Sequence, residues 1–125
     1  MASWLNIAKG NHRAARLLEN AKEYRSAVSR YYYAGFSAVS EALEPFVTLP
    51  TQRETPSHQR IPLLIERHLP GLSDTNRRTL KRAMRILYEA RLKADYRSGI
   101  TTDAAVSMVS RRQVVLVLQI LKVEL

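Results

Sequence analysis

The sequence predicts an all-α fold, an antiparallel bundle of four to five helices, and two observations carry this prediction. Only four glycines and five prolines occur, and all five prolines lie between residues 45 and 70, so both flanks lack helix breakers. Apolar residues in those flanks recur at spacings of three and four, which is helical periodicity, and strand patterns are nearly absent. A chain of 125 residues is expected to form one domain, residues 1–125.

Turn and capping residues predict where the helices begin and end. The expected ranges are 11–24 (or 4–24 if Gly10 does not interrupt the first helix), 24–43, 58–68, 74–96 and 102–125. The expected N-caps are Ser57 for the third helix, Ser73 or Asp74 for the fourth, and Thr101 or Thr102 for the fifth. Pro45 is expected to end the second helix.

Two of these helices have faces suited to close packing. From Val114 to Leu121 the last helix is apolar on nearly every side, which predicts that it lies at the centre of the bundle or packs against a second subunit. The second helix has a stripe of small residues, including Ala27, Ala34 and Gly35, that would let another helix approach closely. Either face is a candidate for the two-fold interface of a homodimer.

The charge of the chain points to an anionic partner. The formal net charge is +9, and fifteen of the twenty basic residues are arginines. Because the planar guanidinium suits phosphates and carboxylates, this composition favours RNA or another nucleic acid, a nucleotide or an acidic protein as partner. The alternative is a cationic surface that only keeps the domain soluble.

Several classes of site are excluded by composition. The chain has no cysteine, which removes disulfides, thiolate metal sites and cysteine nucleophiles, and which fits a cytoplasmic location. No run of about 18 apolar residues exists, so no contact with a membrane is expected. His12, His58 and His68 are scattered without nearby carboxylates, so neither a metal site nor a cofactor is expected.

Arg91 is the most informative single residue. It lies on the apolar stripe of the fourth helix, near the positions of Leu80, Met84 and Leu87, rather than with the other cations of that helix. Asp95, four residues later, is its natural partner. Two interpretations stay open: a structural ion pair, or a guanidinium held in a groove to bind phosphate.

Three consecutive tyrosines at 31–33 are the second unusual feature. On a helix they must point in three directions, so they cannot all enter one core. Either two are core and one covers the surface, or Tyr32 and Tyr33 stack on bases or donate hydrogen bonds. Arg30 adjoins them and extends the basic surface.

Three short segments then stand in a recognisable order. Residues 29–34 read Ser-Arg-Tyr-Tyr-Tyr-Ala, residues 57–58 read Ser-His, and residues 91–96 read Arg-x-x-Ala-Asp-Tyr, with an amphipathic helix closing the chain. In this order, and on these predicted helices, they resemble small stand-alone HEPN-domain proteins of bacteria and archaea. The first segment is similar to the Ser-Arg-x-Tyr-Tyr-Ala segment on the second helix of that family, and the resemblance covers nearly the whole chain.

The resemblance implies a function as well as a fold. HEPN proteins are helical bundles, usually homodimers, and the best known are metal-independent ribonucleases that act as toxins or antiviral effectors. Several are encoded beside a minimal nucleotidyltransferase that serves as antitoxin. Their motif is an Arg followed, after a few residues, by a His; Arg91 matches the Arg, but Tyr96 stands at the first position where the His is expected.

These observations select the candidate residues. The catalytic candidates are Arg91 to hold the phosphate, with Asp95 and Tyr96 beside it, and His58 as a replacement for the missing base. The candidate RNA contacts are Arg30, Tyr32, Tyr33, Arg85 and Arg97. Three functions stay open: a metal-independent endoribonuclease, a non-catalytic module that binds RNA or nucleotide or assembles with a nucleotidyltransferase, and a structural scaffold.

Overall fold

The computed structural model describes residues 3–47 and 58–124, and their regular elements are all helical. They are α1 (Trp4–Asn20), α2 (Tyr24–Leu43), a 3₁₀ turn (His58–Arg60), α3 (Ile61–Arg67), α4 (Asp74–Tyr96) and α5 (Ala104–Ile120). The predictions of an all-α chain and of five helices packed together are confirmed. The predicted cap Ser57 lies outside the described residues.

Helix α1 runs through Gly10 without interruption. A glycine in a helix costs only about 1 kcal/mol relative to alanine, and this cost is offset because Ala8 and Ala15 are fully buried on the same helix. The helix ends at Asn20, earlier than predicted, because Lys22 adopts a left-handed backbone with φ 64°.

The capping predictions were right for α4 and wrong for α5. Ser73 Oγ accepts the N–H of Asn76 at 3.1 Å, and α4 ends at Tyr96 as predicted. Helix α5 is capped by Asp103, whose carboxylate accepts the N–H of the third helical residue at 3.1 Å. A carboxylate both accepts this bond and complements the positive end of the helix, so the chain begins α5 there and not after Thr101 or Thr102.

The C-terminal end of α5 also differs from the prediction. The helix ends at Ile120 and does not reach the C-terminus, because Lys122 adopts a left-handed backbone with φ 57°. The N–H of Val123 then bonds to the carbonyl of Leu118 at 2.8 Å, which closes the last turn.

Helix α2, and not α5, lies at the centre of the fold. Twelve of the 20 residues of α2 are buried, and α1, α4 and α5 all pack against it. Helix α5 leaves Val109 and Leu116 exposed, so the prediction that it is central is wrong, while its pairing with a second subunit stays a prediction. The small-residue stripe of α2 does admit a neighbour: a Cβ added at Gly35 would lie 3.2 Å from atoms of Met84 and Leu87 on α4.

The short α3 packs against α4 and follows directly on the 3₁₀ turn. The segment predicted as one helix over 58–68 therefore begins as a 3₁₀ turn and becomes α-helical at Ile61. Pro62 lies in the first turn of α3, where its missing N–H has no helical partner to lose. This arrangement brings His58 against α2. In the described part of the chain, no helix has the length and apolar character needed to cross a membrane.

Candidate functional site

Arg91 is buried at the place where α4 faces α2. It is 9% exposed, and it shares the buried face of α4 with Leu80, Met84 and Leu87, as the spacing predicts. Its Nε donates to Asp95 Oδ2 at 3.2 Å, and its Nη2 donates to the phenol oxygen of Tyr96 at 3.2 Å. A guanidinium has five N–H donors, so three remain for other acceptors after these two bonds.

Three aromatic rings surround the Arg91 guanidinium. Its Cζ lies 5.5 Å from the ring centroid of Tyr32, 5.1 Å from that of Tyr33 and 5.5 Å from that of Tyr96. All three distances are within the range in which a cation is attracted to a ring face. The aromatic surroundings compensate in part for the removal of this charge from water.

Asp95 connects α4 to α2. Besides accepting from Arg91, its Oδ2 accepts a hydrogen bond from Ser29 Oγ at 3.1 Å. Ser29 begins the tyrosine-rich segment, so this bond positions that segment against the end of α4. The carboxylate is thereby held by one cation and one hydroxyl, and it holds the guanidinium in one orientation.

His58 meets Tyr32 from the other side. The hydroxyl of Tyr32 and Nδ1 of His58 are hydrogen-bonded at 2.5 Å, and the imidazole packs on the ring of Phe36 with 4.3 Å between centroids. Burial, and secondly the charge of Arg91, lower the pKa of His58, so the imidazole is neutral near pH 7. With Nδ1 bound to Tyr32, Nε2 makes no hydrogen bond to any described residue.

Tyr32 is thus shared by the cation and the imidazole. Its side chain is almost completely buried, and burial raises its pKa well above the usual value for a phenol, although the charge of Arg91 opposes this. Tyr32 therefore stays protonated at any ordinary pH and acts as a neutral partner of His58. We call Arg91, Asp95, Tyr96, Tyr32, Tyr33 and His58 the Arg91 cluster.

A groove opens beside the Arg91 cluster. It has a volume of about 400 Å³ and lies between the 3₁₀ turn, α3 and α4, with Tyr32, His58 and Tyr88 among its lining residues. Arg91 does not line it, but Tyr32 both lines it and contacts Arg91. Arg85, a predicted RNA contact, lies on its edge.

Two predicted RNA contacts lie apart from this cluster. Arg30 is exposed and donates to Asn11 Oδ1 on α1 at 3.1 Å, so its head group is directed toward α1. Arg97 is exposed just after α4, and its backbone carbonyl accepts from the side chain of Arg25. Exposure leaves both side chains accessible to a large ligand, but neither contributes to the enclosure of Arg91.

Sequence reasoning missed two residues that shape the site. Ser29 lies inside the segment that suggested the family resemblance, and this position could have marked it as a site residue. Arg25 donates to backbone carbonyls at and beyond the end of α4, including that of Ala94 at 2.8 Å and that of Ile100. It stabilises the end of the helix that carries Asp95 and Tyr96, and no local pattern marks it.

A second polar cluster lies on another side of α2. Tyr31 donates its hydroxyl to Glu19 Oε1 at 2.7 Å, Ser107 donates to Glu19 Oε2 at 2.7 Å, and Arg111 Nε lies 3.4 Å from Oε1. Burial alone raises the pKa of the Glu19 carboxyl, but the two hydroxyls and nearby arginines outweigh it and lower that pKa. We call Glu19, Tyr31, Ser107 and Arg111 the Glu19 cluster.

Comparison with protein-family models, with curated proteins and with solved structures found no match to this chain. Within residues 3–47 and 58–124, no group of three or more His, Asp and Glu side chains could hold a metal ion.

Proposed function

We propose that this chain is a HEPN-type, RNA-directed protein that cleaves RNA without a metal ion, as a toxin or defence effector does. One observation carries the proposal: Arg91 and His58, far apart in the sequence, contact the same Tyr32 side chain. A fixed cation beside a neutral imidazole is the minimum needed to cleave a phosphodiester through its own 2′-hydroxyl. The net charge of +9 supports RNA as the substrate.

The chemistry follows from the roles open to each group. In this scheme His58 carries its hydrogen on Nδ1, which bonds to the Tyr32 oxygen and keeps the ring oriented, and Nε2 accepts the proton of the 2′-hydroxyl. The 2′-oxygen forms a bond to the adjacent phosphorus, the bond from phosphorus to the 5′-oxygen breaks, and a proton reaches the leaving oxygen from water. The products are a 2′,3′-cyclic phosphate and a 5′-hydroxyl.

Arg91 and Tyr96 supply the charge stabilisation in this scheme. The N–H groups of Arg91 that Asp95 and Tyr96 leave unused donate to the phosphate oxygens as negative charge develops on them. Because Arg91 donates to the Tyr96 oxygen, the phenolic hydrogen of Tyr96 is left for a phosphate oxygen as well. Tyr96 is 69% exposed, so it stands where a ligand would reach the buried guanidinium.

The proposal is tested by incubating total RNA and tRNA with the purified protein in EDTA. We expect cleavage by the native protein, and its loss in Arg91→Lys, which keeps the charge but removes the forked donors. Arg111→Lys is the matched control, since Arg111 contacts Glu19 in the other cluster. Absence of cleavage by folded native protein contradicts the proposal, as does cleavage that Arg91→Lys leaves intact.

A non-catalytic role is the second candidate, and the burial of Arg91 favours it. The Arg91 side chain is only 11% exposed and already bonded to Asp95 and Tyr96, as expected of a guanidinium with a purely structural task. In that case the protein binds RNA, or assembles with a nucleotidyltransferase, without turnover. RNA affinity then falls steeply with salt through counterion release, and no cleaved ends accumulate. If Arg91→Lys changes only thermal stability, the scaffold interpretation is correct.

We also propose that two copies form a homodimer through α5. Val109 and Leu116 are seven residues apart and are 43% and 38% exposed, so they form an uncovered apolar strip on one helix face. Sedimentation equilibrium should give a dimer for the native protein and a monomer for Leu116→Glu. A native monomer, or a dimer unaffected by this change, contradicts the proposed interface.

A further inference from the structure

The groove beside the Arg91 cluster has the dimensions and walls of a small-ligand site. Its volume of about 400 Å³ is inside the range of about 300–1,000 Å³ that such pockets usually occupy. The floor is apolar, with Ile61 and Met84 among its residues, and both of these side chains are buried. The groove therefore offers apolar contact to a ligand over part of its surface.

Aromatic rings form one wall of the groove. The rings of His58 and Tyr88 are nearly parallel, with 16° between their planes and 6.4 Å between centroids, and both line the groove. The ring of Tyr32 lies beside them, with 5.8 Å between its centroid and that of Tyr88. Parallel rings open to a groove are suited to a flat, aromatic ligand, because stacking requires a planar ring but does not depend on which base carries it.

The charges of the groove favour a neutral ligand. Lys81 and Arg85 line it together with Glu66 and Glu89, so the formal charges cancel although the chain as a whole is strongly basic. Lys81 and Glu66 are paired with each other at 3.0 Å. Together with Gln59, these groups offer both donors and acceptors around a rim of zero net formal charge, which suits the edge of a nucleobase better than a phosphate.

The groove lies next to the position proposed for the phosphate. Tyr88 precedes Arg91 by three residues on α4, about 4.5 Å along the helix axis. We propose that this groove binds a nucleobase of the RNA adjacent to the cleaved phosphate, with the base stacked on Tyr88 and His58. The identity of the ligand as RNA rests on the proposed function. The claim that the groove binds a base stacked on Tyr88 does not depend on whether the protein cleaves RNA.

Binding experiments with uncleavable oligomers test the base pocket. The probes are a 2′-O-methyl RNA decamer, which lacks the attacking hydroxyl, and an abasic sugar-phosphate chain of the same length. We expect Tyr88→Leu to bind the decamer roughly 5- to 150-fold more weakly than native protein, the loss typical of one stacked base. Tyr88→Phe keeps the ring and should bind as the native protein does. Tyr24→Leu, at the start of α2 and outside the groove, is the control.

NMR spectroscopy of the native protein provides a second test that does not depend on the folding of Tyr88→Leu. The decamer should shift the ring resonances of Tyr88 and His58, and the abasic chain should not. Equal affinity of the native protein for both probes overturns the inference, as does decamer binding that Tyr88→Leu leaves unchanged.

The two proposals can fail separately. If the native protein cleaves RNA in EDTA but Tyr88→Leu binds and cleaves normally, the base pocket is wrong and the ribonuclease proposal stands. If the native protein never cleaves but binds the decamer through Tyr88, the base pocket stands and the ribonuclease proposal is wrong. Binding of single nucleoside 5′-monophosphates as tight as that of the decamer identifies a free nucleotide, and not RNA, as the ligand.

Discussion

Tyr31 and Tyr32 are adjacent in the sequence, both are buried, and each belongs to a polar cluster on a different side of α2. Tyr31 belongs to the Glu19 cluster, in which both carboxylate oxygens accept hydroxyl hydrogen bonds. Tyr32 belongs to the Arg91 cluster, in which N–H groups of Arg91 and Nε2 of His58 have no protein partner among the described residues. Both oxygens of the Glu19 carboxylate are engaged, whereas the Arg91 cluster has unused hydrogen-bonding groups beside a groove.

The difference separates polar groups that stabilise the fold from those available to a ligand. A hydrogen bond contributes only about 1 kcal/mol net, but an unpaired buried polar group costs about 1–3 kcal/mol, so burial selects for complete networks. The Glu19 carboxylate and the two hydroxyls bonded to it obey that rule. The unused groups of the Arg91 cluster are not among the fully buried unpaired atoms, so they keep access to solvent near the exposed Tyr96, where a ligand can use them. Paired substitutions, one in each cluster, test this assignment.

The two histidines packed against Tyr31 and Tyr32 should show the largest contrast. We expect His58→Gln to lower metal-free RNA cleavage by about 10²- to 10⁴-fold, because the proposed base is lost. His12 is 8% exposed beside Tyr31, and His12→Gln should leave the rate per folded molecule unchanged. Both rates are measured on protein whose folding has been checked by circular dichroism. An equal loss in the two variants would show that cleavage follows stability and not His58.

Substitution of Glu19 should mainly change stability, and substitution of Asp95 should mainly change cleavage activity. Glu19→Ala leaves the hydroxyls of Tyr31 and Ser107 without an acceptor, so we expect it to lower the free energy of unfolding by about 2–3 kcal/mol. Asp95→Asn keeps the size of a side chain that is 27% exposed, and it should lower stability by less than about 1 kcal/mol while reducing cleavage. Urea denaturation and the EDTA assay measure the two effects. A larger stability loss in Asp95→Asn would make the Arg91 cluster structural.

The adjacent tyrosines provide the closest matched pair. Tyr31→Phe should lower the free energy of unfolding by about 1 kcal/mol, with no effect on the cleavage rate. Tyr32→Phe removes the hydroxyl that orients His58, and we expect a rate loss of up to about 100-fold from misplacement of the base. Rates that are equal in the two variants contradict a positioning role for Tyr32.

The smallest expected effect is on stability at mildly acidic pH. Burial lowers the pKa of both His12 and His58, and each lies near an arginine that lowers it further. Below pH 6.5 the unfolded chain therefore binds protons that the folded chain does not, and the free energy of unfolding falls as pH decreases from 6.5 through the lowered values. His12→Gln should reduce this slope, as measured by urea denaturation at several pH values. A slope that this change leaves unaltered would assign the effect to other groups.

The local features of the fold could be predicted from the sequence because local signals determine them. The Ser73 cap follows from the residue type at the start of α4, and the burial of Arg91 follows from its spacing along that helix. The cap of α5 was misassigned because Thr101, Thr102 and Asp103 are all good capping residues, and the prediction did not weigh the advantage of a carboxylate at the positive end of the helix. Helix α5 looked central from its composition, but α2, with its smaller side chains, admits neighbours on more sides.

The site itself depends on contacts that no local pattern contains. His58 and Tyr32 are 26 residues apart, and Ser107 and Glu19 are 88 residues apart. Sequence reasoning named Arg91, Asp95, Tyr96 and His58 as candidates, but it could not show that Tyr32 connects His58 to Arg91. The groove beside them was not predicted, because its lining comes from four elements, α2, the 3₁₀ turn, α3 and α4, that only the fold brings together.

The pH dependence of RNA cleavage in EDTA tests the central claim most directly. If neutral His58 is the base beside Arg91, the rate should rise with pH through a pKa below 6.5, because burial and the charge of Arg91 lower the pKa of this imidazole, and then reach a plateau. His58→Gln should abolish this rise of the rate with pH, together with the activity. The account would be contradicted if the native protein did not cleave RNA at any pH, or if the rise of the rate with pH persisted in His58→Gln.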